Sequence, residues 1–525
     1  VSGGCCNTAS ECFSTVGGGT LNIASGCQST VGGGLINTSL GLRSTVSGGF
    51  CNTACGVLSA VGGGACNASL DCLSTVSGGL CNTASDCFST VGGGIRNFIA
   101  GDSSTIGGGC ANAVYSDCAT IAGGEYNLIE DTTGLTATGS FIGGGSGNTA
   151  TEGCYSTISG GLSNTACADG STISGGAFNT ASDAASTVSG GVCNTASGPV
   201  STIGGGFCNI ASGNASAIGG GDCNRALGDR STIGGGCYNT ACYDYSTVGG
   251  GFCNTGLKQF STIGGGCNNT INVEDSTIGG GLNNKIICGK NGSVIGGGAL
   301  NIASGDRSTI SGGFCNTASG NTSTLGGGRL NIACGTSSAI GGGETNLASG
   351  GFSTVGGGLC NTSCGNSSTI GGGQCNTAFN LSTIGGGFRN IVSSDWGTIG
   401  GGCTNIVDSD YAVIAGGHCN MIEDITGQLA TGSFIGGGSC NTACACYSSI
   451  LGGRNNTACH NSSHIVGECI TTRYNCTAHI NCLNFSTIAS YCGNACAAAA
   501  GLPVGQVYLS TECVGFPAFL TIVIP

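Results

Sequence analysis

Apolar and polar positions alternate along this chain within a repeat of about 15 residues. In S-T-I-G-G-G-F-C-N-I-A-S-G, residues 201–213, Ser201, Ile203, Asn209 and Ala211 share one parity, and Thr202 and Ile210 the other. Such alternation sends the two sets to opposite faces of extended backbone. Each repeat therefore predicts two short strands, one through S-T-I and one through N-I-A. The glycine run and the S-G-x-x segment predict the corners, because glycine permits positive φ and close backbone approach.

The aliphatic residue of each Ser-Thr-aliphatic triplet marks the phase. The marks run through Val16 and Val31 to Ile203, Ile233 and Ile310 and on to Ile465, with Ile480 as a last candidate, about 32 repeats in all. A strict period of this size predicts an all-β parallel β-solenoid, one coil per repeat, with Val16, Val31, Ile203, Ile233 and Ile310 as a core ladder. Stacked at about 4.8 Å, the repeats predict a rod of roughly 150 Å. Six residues after each marker stands an asparagine, as at Asn22, Asn52, Asn209, Asn239 and Asn316. It is expected to form a ladder, each amide bonding the same amide one rung away, or to occupy a left-handed turn position.

The repeats end in a less regular tail. Residues 1–485 are read as the repeat rod and residues 486–525, with their prolines and dense apolar end, as a β cap that covers an open edge. The stretches 121–150 and 414–443 carry the same longer insertion, the mark of a long-block duplication. Their acidic pairs, Glu130 with Asp131 and Glu423 with Asp424, are read as a solvated loop, with a cation or receptor site as the alternative. The chain opens partway through a repeat, as a mature or trimmed segment does.

Composition narrows the function classes. Of 525 residues 109 are glycine, the net charge is −13, and lysine occurs only at Lys258, Lys285 and Lys290, so no basic stripe awaits a nucleic acid. No apolar run approaches the length of a membrane span. Four histidines, all in the last quarter, and serines on every repeat give no basis for a triad or a histidine-rich metal site. No enzyme activity and no cofactor are expected. Trp396 is read as a packed or exposed ring, with sugar stacking as the alternative.

The 39 cysteines recur at a few repeat positions, which reads as a disulfide framework in an oxidising setting, or else as small buried hydrophobes. Cys51, Cys66 and Cys81 precede the asparagine on three successive repeats, as do Cys193, Cys208 and Cys223, and Cys360 and Cys375. Rung spacing falls within disulfide reach, so these eight are candidate staples, with interchain bonds equally open. Sequons recur as well. Those on the ladder, at Asn37, Asn67 and Asn361, are expected to face inward, and Asn214, Asn321 and Asn461 are the candidate glycosylation sites at corners.

One repeat buries about one aliphatic side chain, too little to offset the entropy of ordering the rest. Backbone ladders, disulfides and neighbouring chains are expected to make up the difference, the last as a homotrimer.

The string A-S-G-x-x-S-T-I-G-G-G resembles the A-T-G-x-x-S-x-A-x-G, YadA-like head repeat of trimeric autotransporter adhesins. The arrays also resemble the G-G-G-x-x-N-T-A-S-G repeats of phage and giant-virus fibre proteins. The resemblance covers roughly residues 1–465 and implies a left-handed, trimeric β-roll. The period is one residue longer than the common adhesin-head unit, and no coiled-coil stalk or outer-membrane barrel follows, whereas the tail resembles terminal caps of viral fibres. The expectation is therefore a disulfide-stabilised homotrimeric fibre on a virion surface, for coating and attachment, with host surface glycans or a receptor as partner. A bacterial adhesin head or extracellular appendage is the first alternative. An ice- or ligand-binding β-helix is the second, disfavoured because S-T-I offers a single outward threonine.

Overall fold

The computed structural model describes residues 1–130, 137–425 and 429–480, and the backbone of strands Ser490–Tyr491, Val507–Ser510 and Phe519–Ile522. The chain is an all-β parallel β-solenoid of about 31 turns, about 15 residues each. It divides into two compact units, Val1–Gly372 and Gly373–Pro525.

In the first unit, one rung reads as follows. Thr202–Ile203 is a strand, Gly204–Gly206 turn the corner, and Ile210–Ala211 is the second strand. Both strands pair in parallel with the next rung, Ile203 against Ile218 and Ala211 against Ala226. Between them Phe207 forms a single parallel bridge to Asp222. Two strand pairings and one bridge thus join each rung to its neighbour, and the inward parity of both strands fills the interior. Ser201, Ile203, Asn209 and Ala211 are fully buried. The second unit repeats this register, with Ile399 against Ile414 and Val392 against Val407.

The corners differ from expectation at the asparagine. The left-handed residue is the one before it, Cys208 at φ 53, and a second left-handed residue, Ala215 at φ 53, closes the other corner. A non-glycine residue in this region costs roughly 1–2 kcal/mol. Each is held by the previous rung: the Cys208 N–H donates to the Val192 carbonyl at 2.9 Å, and the Ala215 N–H to the Pro199 carbonyl at 2.8 Å. The third glycine of the run admits no substitute. Gly206 has φ +96, and a Cβ there would lie 2.0 Å from the Gly221 carbonyl oxygen.

The insertions leave the ladder intact. Ile121 pairs with Ile142, Ile278 with Ile295, and Ile414 with Ile435. Ile480 is a correction. Ile465 pairs with His479, and Ile480 is 43% exposed, because one residue fewer separates these strands and the parity slips. At the C-terminal end the described strands form a three-stranded sheet, Ser490 beside Leu509 and Val507–Ser510 antiparallel to Phe519–Ile522. The rest of the cap read at 486–525 lies outside the described residues.

Candidate functional site

The interior is construction throughout. Val16, Val31, Ile203, Ile233 and Ile310 are fully buried, as are Asn22, Asn52, Asn209, Asn239 and Asn316. The asparagines form a ladder whose main partners are backbone atoms. The Asn209 side-chain amide donates to the carbonyls of Gly205 at 3.0 Å and Gly221 at 2.7 Å, and to Asn194 Oδ1 at 3.1 Å. Asn209 Oδ1 in turn accepts the Asn224 N–H at 3.0 Å. One side chain therefore satisfies two glycine carbonyls of the corner and one amide of the next rung. The same pattern runs from Asn22 to Asn346 in the first unit and recurs from Asn390 to Asn456 in the second. Beside this ladder several buried serine hydroxyls, Ser201 and Ser216 among them, have no hydrogen-bond partner.

The outer surface carries everything else. Two disulfides are present among the described residues, Cys72–Cys87 and Cys444–Cys459, each joining consecutive rungs with Cα atoms 4.8 and 4.7 Å apart. Neither involves the eight candidate thiols. Cys51, Cys66, Cys81, Cys193, Cys208, Cys223, Cys360 and Cys375 are free. All eight occupy left-handed residues, φ 53–58, and stand exposed or half-exposed. Loss of hydration, and then the adjoining sulfurs of Cys51 and Cys81, hold the Cys66 thiol above its ordinary value. Cys208 is raised by the same causes, with Cys193 and Cys223 as its neighbours. A raised thiol offers less of the thiolate that disulfide exchange requires. The bonded cysteines stand instead at two other repeat positions, eleven and nine residues after the marker. Sorting every cysteine by its distance from the marker would have exposed both pairs.

Asn214, Asn321 and Asn461 are exposed at corners, and the ladder sequons Asn37, Asn67 and Asn361 are buried. Each corner asparagine bonds a neighbouring rung: the Asn214 N–H donates to Asp229 Oδ1, the Asp306 N–H donates to Asn321 Oδ1, and the Asn461 N–H donates to Asn475 Oδ1.

Of the acidic pairs, Asp131 lies outside the described residues, and Glu130 ends the strand Leu128–Glu130, half-buried. Glu423 pairs with Asp408 in strand register. The Asp424 carboxylate accepts the Ser409 hydroxyl at 2.7 Å and the Ala430 N–H at 2.6 Å, which gives it a structural role in the insertion. Groups with metal-ligand proximity among the described residues are Asp71, Cys72 and Cys87, and Asp86, Cys87 and Asp102. The sulfurs of both are tied in the Cys72–Cys87 bond and offer no thiolate. Burial, and then Asp102 and Asp71, raise the Asp86 carboxyl above its ordinary value, against a lowering contribution from the Cys87 N–H.

Exposed large side chains gather in columns. Leu35, Phe50, Leu80 and Ile95 are 39–45% exposed in one column of parallel bridges, with Ala65 between Phe50 and Leu80. Trp396 is 52% exposed and stacks on Tyr411, ring planes 4° apart and centroids 6.2 Å apart. A recess of about 310 Å³ is lined by Lys290, Asn291, Asp306, Arg307, Asn321 and Thr322. Each strand presents one outward residue, such as Thr202 beside Ala217. No helix among the described residues is long and apolar enough to cross a membrane.

Residues 308–320, S-T-I-S-G-G-F-C-N-T-A-S-G, match the model of the ubiquitous surface protein adhesin repeat. The matched stretch is one rung of the solenoid, with Ile310 in the aliphatic column and Asn316 in the asparagine ladder. The repeat is thus related to those of trimeric autotransporter adhesins. No curated protein matches the chain. Together the adhesin repeat and the disulfides suggest a surface or extracellular location.

Proposed function

We propose that this chain is the structural, non-enzymatic shaft of a surface appendage of adhesin type, assembled as a homotrimer. The observation that carries the reading is the match of residues 308–320, most of one rung, to a surface-adhesin repeat, in a rung whose strand register recurs through both units. Trimer formation is supported by the exposed apolar column at Leu35, Phe50, Leu80 and Ile95, which a neighbouring chain would cover. Attachment is assigned to the outer corners, where the Lys290 and Arg307 recess sets two cations, amides and a hydroxyl beside one another, groups suited to an acidic surface saccharide. Display on a cell is the primary reading. Display on a virion, as a capsid fibril with this same architecture, is the narrower form and rests on the likeness of the tail to viral fibre caps.

Gold-labelled antibody against the chain, imaged by electron microscopy on the native source, tests the reading. Label along thin surface projections is expected, and the bearer of those projections, cell envelope or capsid, separates the two forms. Label confined to the interior contradicts both.

A further inference from the structure

Cys12 and Cys27 stand eleven residues after Val1 and Val16, the repeat position that Cys72 and Cys87 hold after Val61 and Val76. The local geometry is also shared. The Gln28 N–H donates to the Cys12 carbonyl at 2.7 Å, as the Phe88 N–H donates to the Cys72 carbonyl at 3.0 Å. Gln28 and Phe88 are both left-handed, φ 60 and 57, whereas none of the four cysteines is. The strands around them keep the same register, Val16 against Val31 as Val76 against Val91. In the rung after Cys27 the equivalent residue is Leu42, so no third thiol competes in this column. That differs from Cys51, Cys66 and Cys81, where a central thiol has two equivalent neighbours. Cys12 is exposed and Cys27 half-exposed, so small reagents reach both.

We infer that Cys12 and Cys27 are a modification site, a further rung-to-rung disulfide that forms when the protein meets a low-molecular-weight disulfide such as oxidised glutathione. The thiolate of one cysteine attacks a sulfur of that reagent, which breaks the reagent's S–S bond and releases one thiol. The second cysteine's thiolate attacks the protein-bound sulfur, forms the Cys12–Cys27 bond and releases the second thiol. Two protein thiols lose two electrons, the reagent gains them, and both protons leave on the released thiols. The bond closes one whole turn, Phe13 to Gly26, into a covalent loop.

The test uses the full chain, incubated with oxidised glutathione, alkylated, digested without reductant and mapped by mass spectrometry. A Cys12–Cys27 linked peptide is expected beside the Cys72–Cys87 peptide. In the Cys12→Ser variant, Cys27 is expected outside any protein cross-link, either alkylated or as its glutathione mixed disulfide, with Cys72–Cys87 still linked. Alkylation of both Cys12 and Cys27 in protein whose Cys72–Cys87 bond is intact overturns the inference, as does pairing of Cys12 with Cys5 or Cys6. Absence of both links overturns it as well, and then the shared corner geometry fails with it.

Discussion

Asn209 pairs three backbone groups, the Gly205 carbonyl, the Asn224 N–H and the Gly221 carbonyl, the last of which also accepts the Phe207 N–H. Replacing it with alanine removes the side-chain partner of the Gly205 carbonyl and of the Asn224 N–H, at about 1–3 kcal/mol for each group that finds no new partner. In a solenoid such a loss stays near the altered rung. We predict that Asn209→Ala lowers hydrogen-exchange protection in the adjoining rungs by about 30-fold or more, the equivalent of about 2 kcal/mol, and leaves rungs several turns away unchanged. Thr202→Ala, on the exposed parity, is predicted to change protection little. Asp86 gives a prediction of the opposite sign. Its carboxyl is held above the ordinary value, so the folded state disfavours its charged form. Below the ordinary carboxylate value the group is neutral in both states and costs nothing; the cost grows as pH rises through the raised value and stays above it. Asp86→Asn is therefore expected to raise the melting temperature at neutral pH and to leave it unchanged in acid. A melting temperature raised equally at both would contradict the assignment.

At the scale of the rung, the period and the parity were legible because both strands alternate strictly, S-T-I and N-I-A, and because one branched aliphatic recurs without a break through long stretches. The ladder role of the asparagine was legible for the same reason. Its bonding was not, since the glycine carbonyls it satisfies belong to two different rungs and become neighbours only on coiling. The left-handed corners were also hidden. Their occupants, Cys208, Arg230 and Tyr245 among them, are not residues that favour positive φ, and hydrogen bonds to the rung before hold them there. Among the cysteines, runs of three drew the reading to the position before the asparagine, whereas the bonds formed at Cys72–Cys87 and Cys444–Cys459. The slip at Ile480 originates in a one-residue shortening that spacing alone could absorb as a loop and that the backbone places inside the strand pairing.

At the scale of the molecule, the interior of most rungs holds one branched aliphatic side chain, one small residue, one serine and one asparagine, with a second aliphatic in place of the small residue at positions such as Ile99, Ile129 and Val392, and many large apolar side chains stand outside. An interior so slight is stabilised by repetition, since every rung shares its ladder bonds with the next. The exterior is where the account makes its strongest commitment. Leu35, Phe50, Leu80 and Ile95 expose apolar surface in register, and an adhesin-type assembly covers such a column with a second and third copy of the chain. The solution mass of the native protein, measured by multi-angle light scattering in buffer without reductant, tests this most directly. The account predicts a mass of three chains, each of 50.3 kDa, unchanged on dilution. A mass of one chain would contradict it.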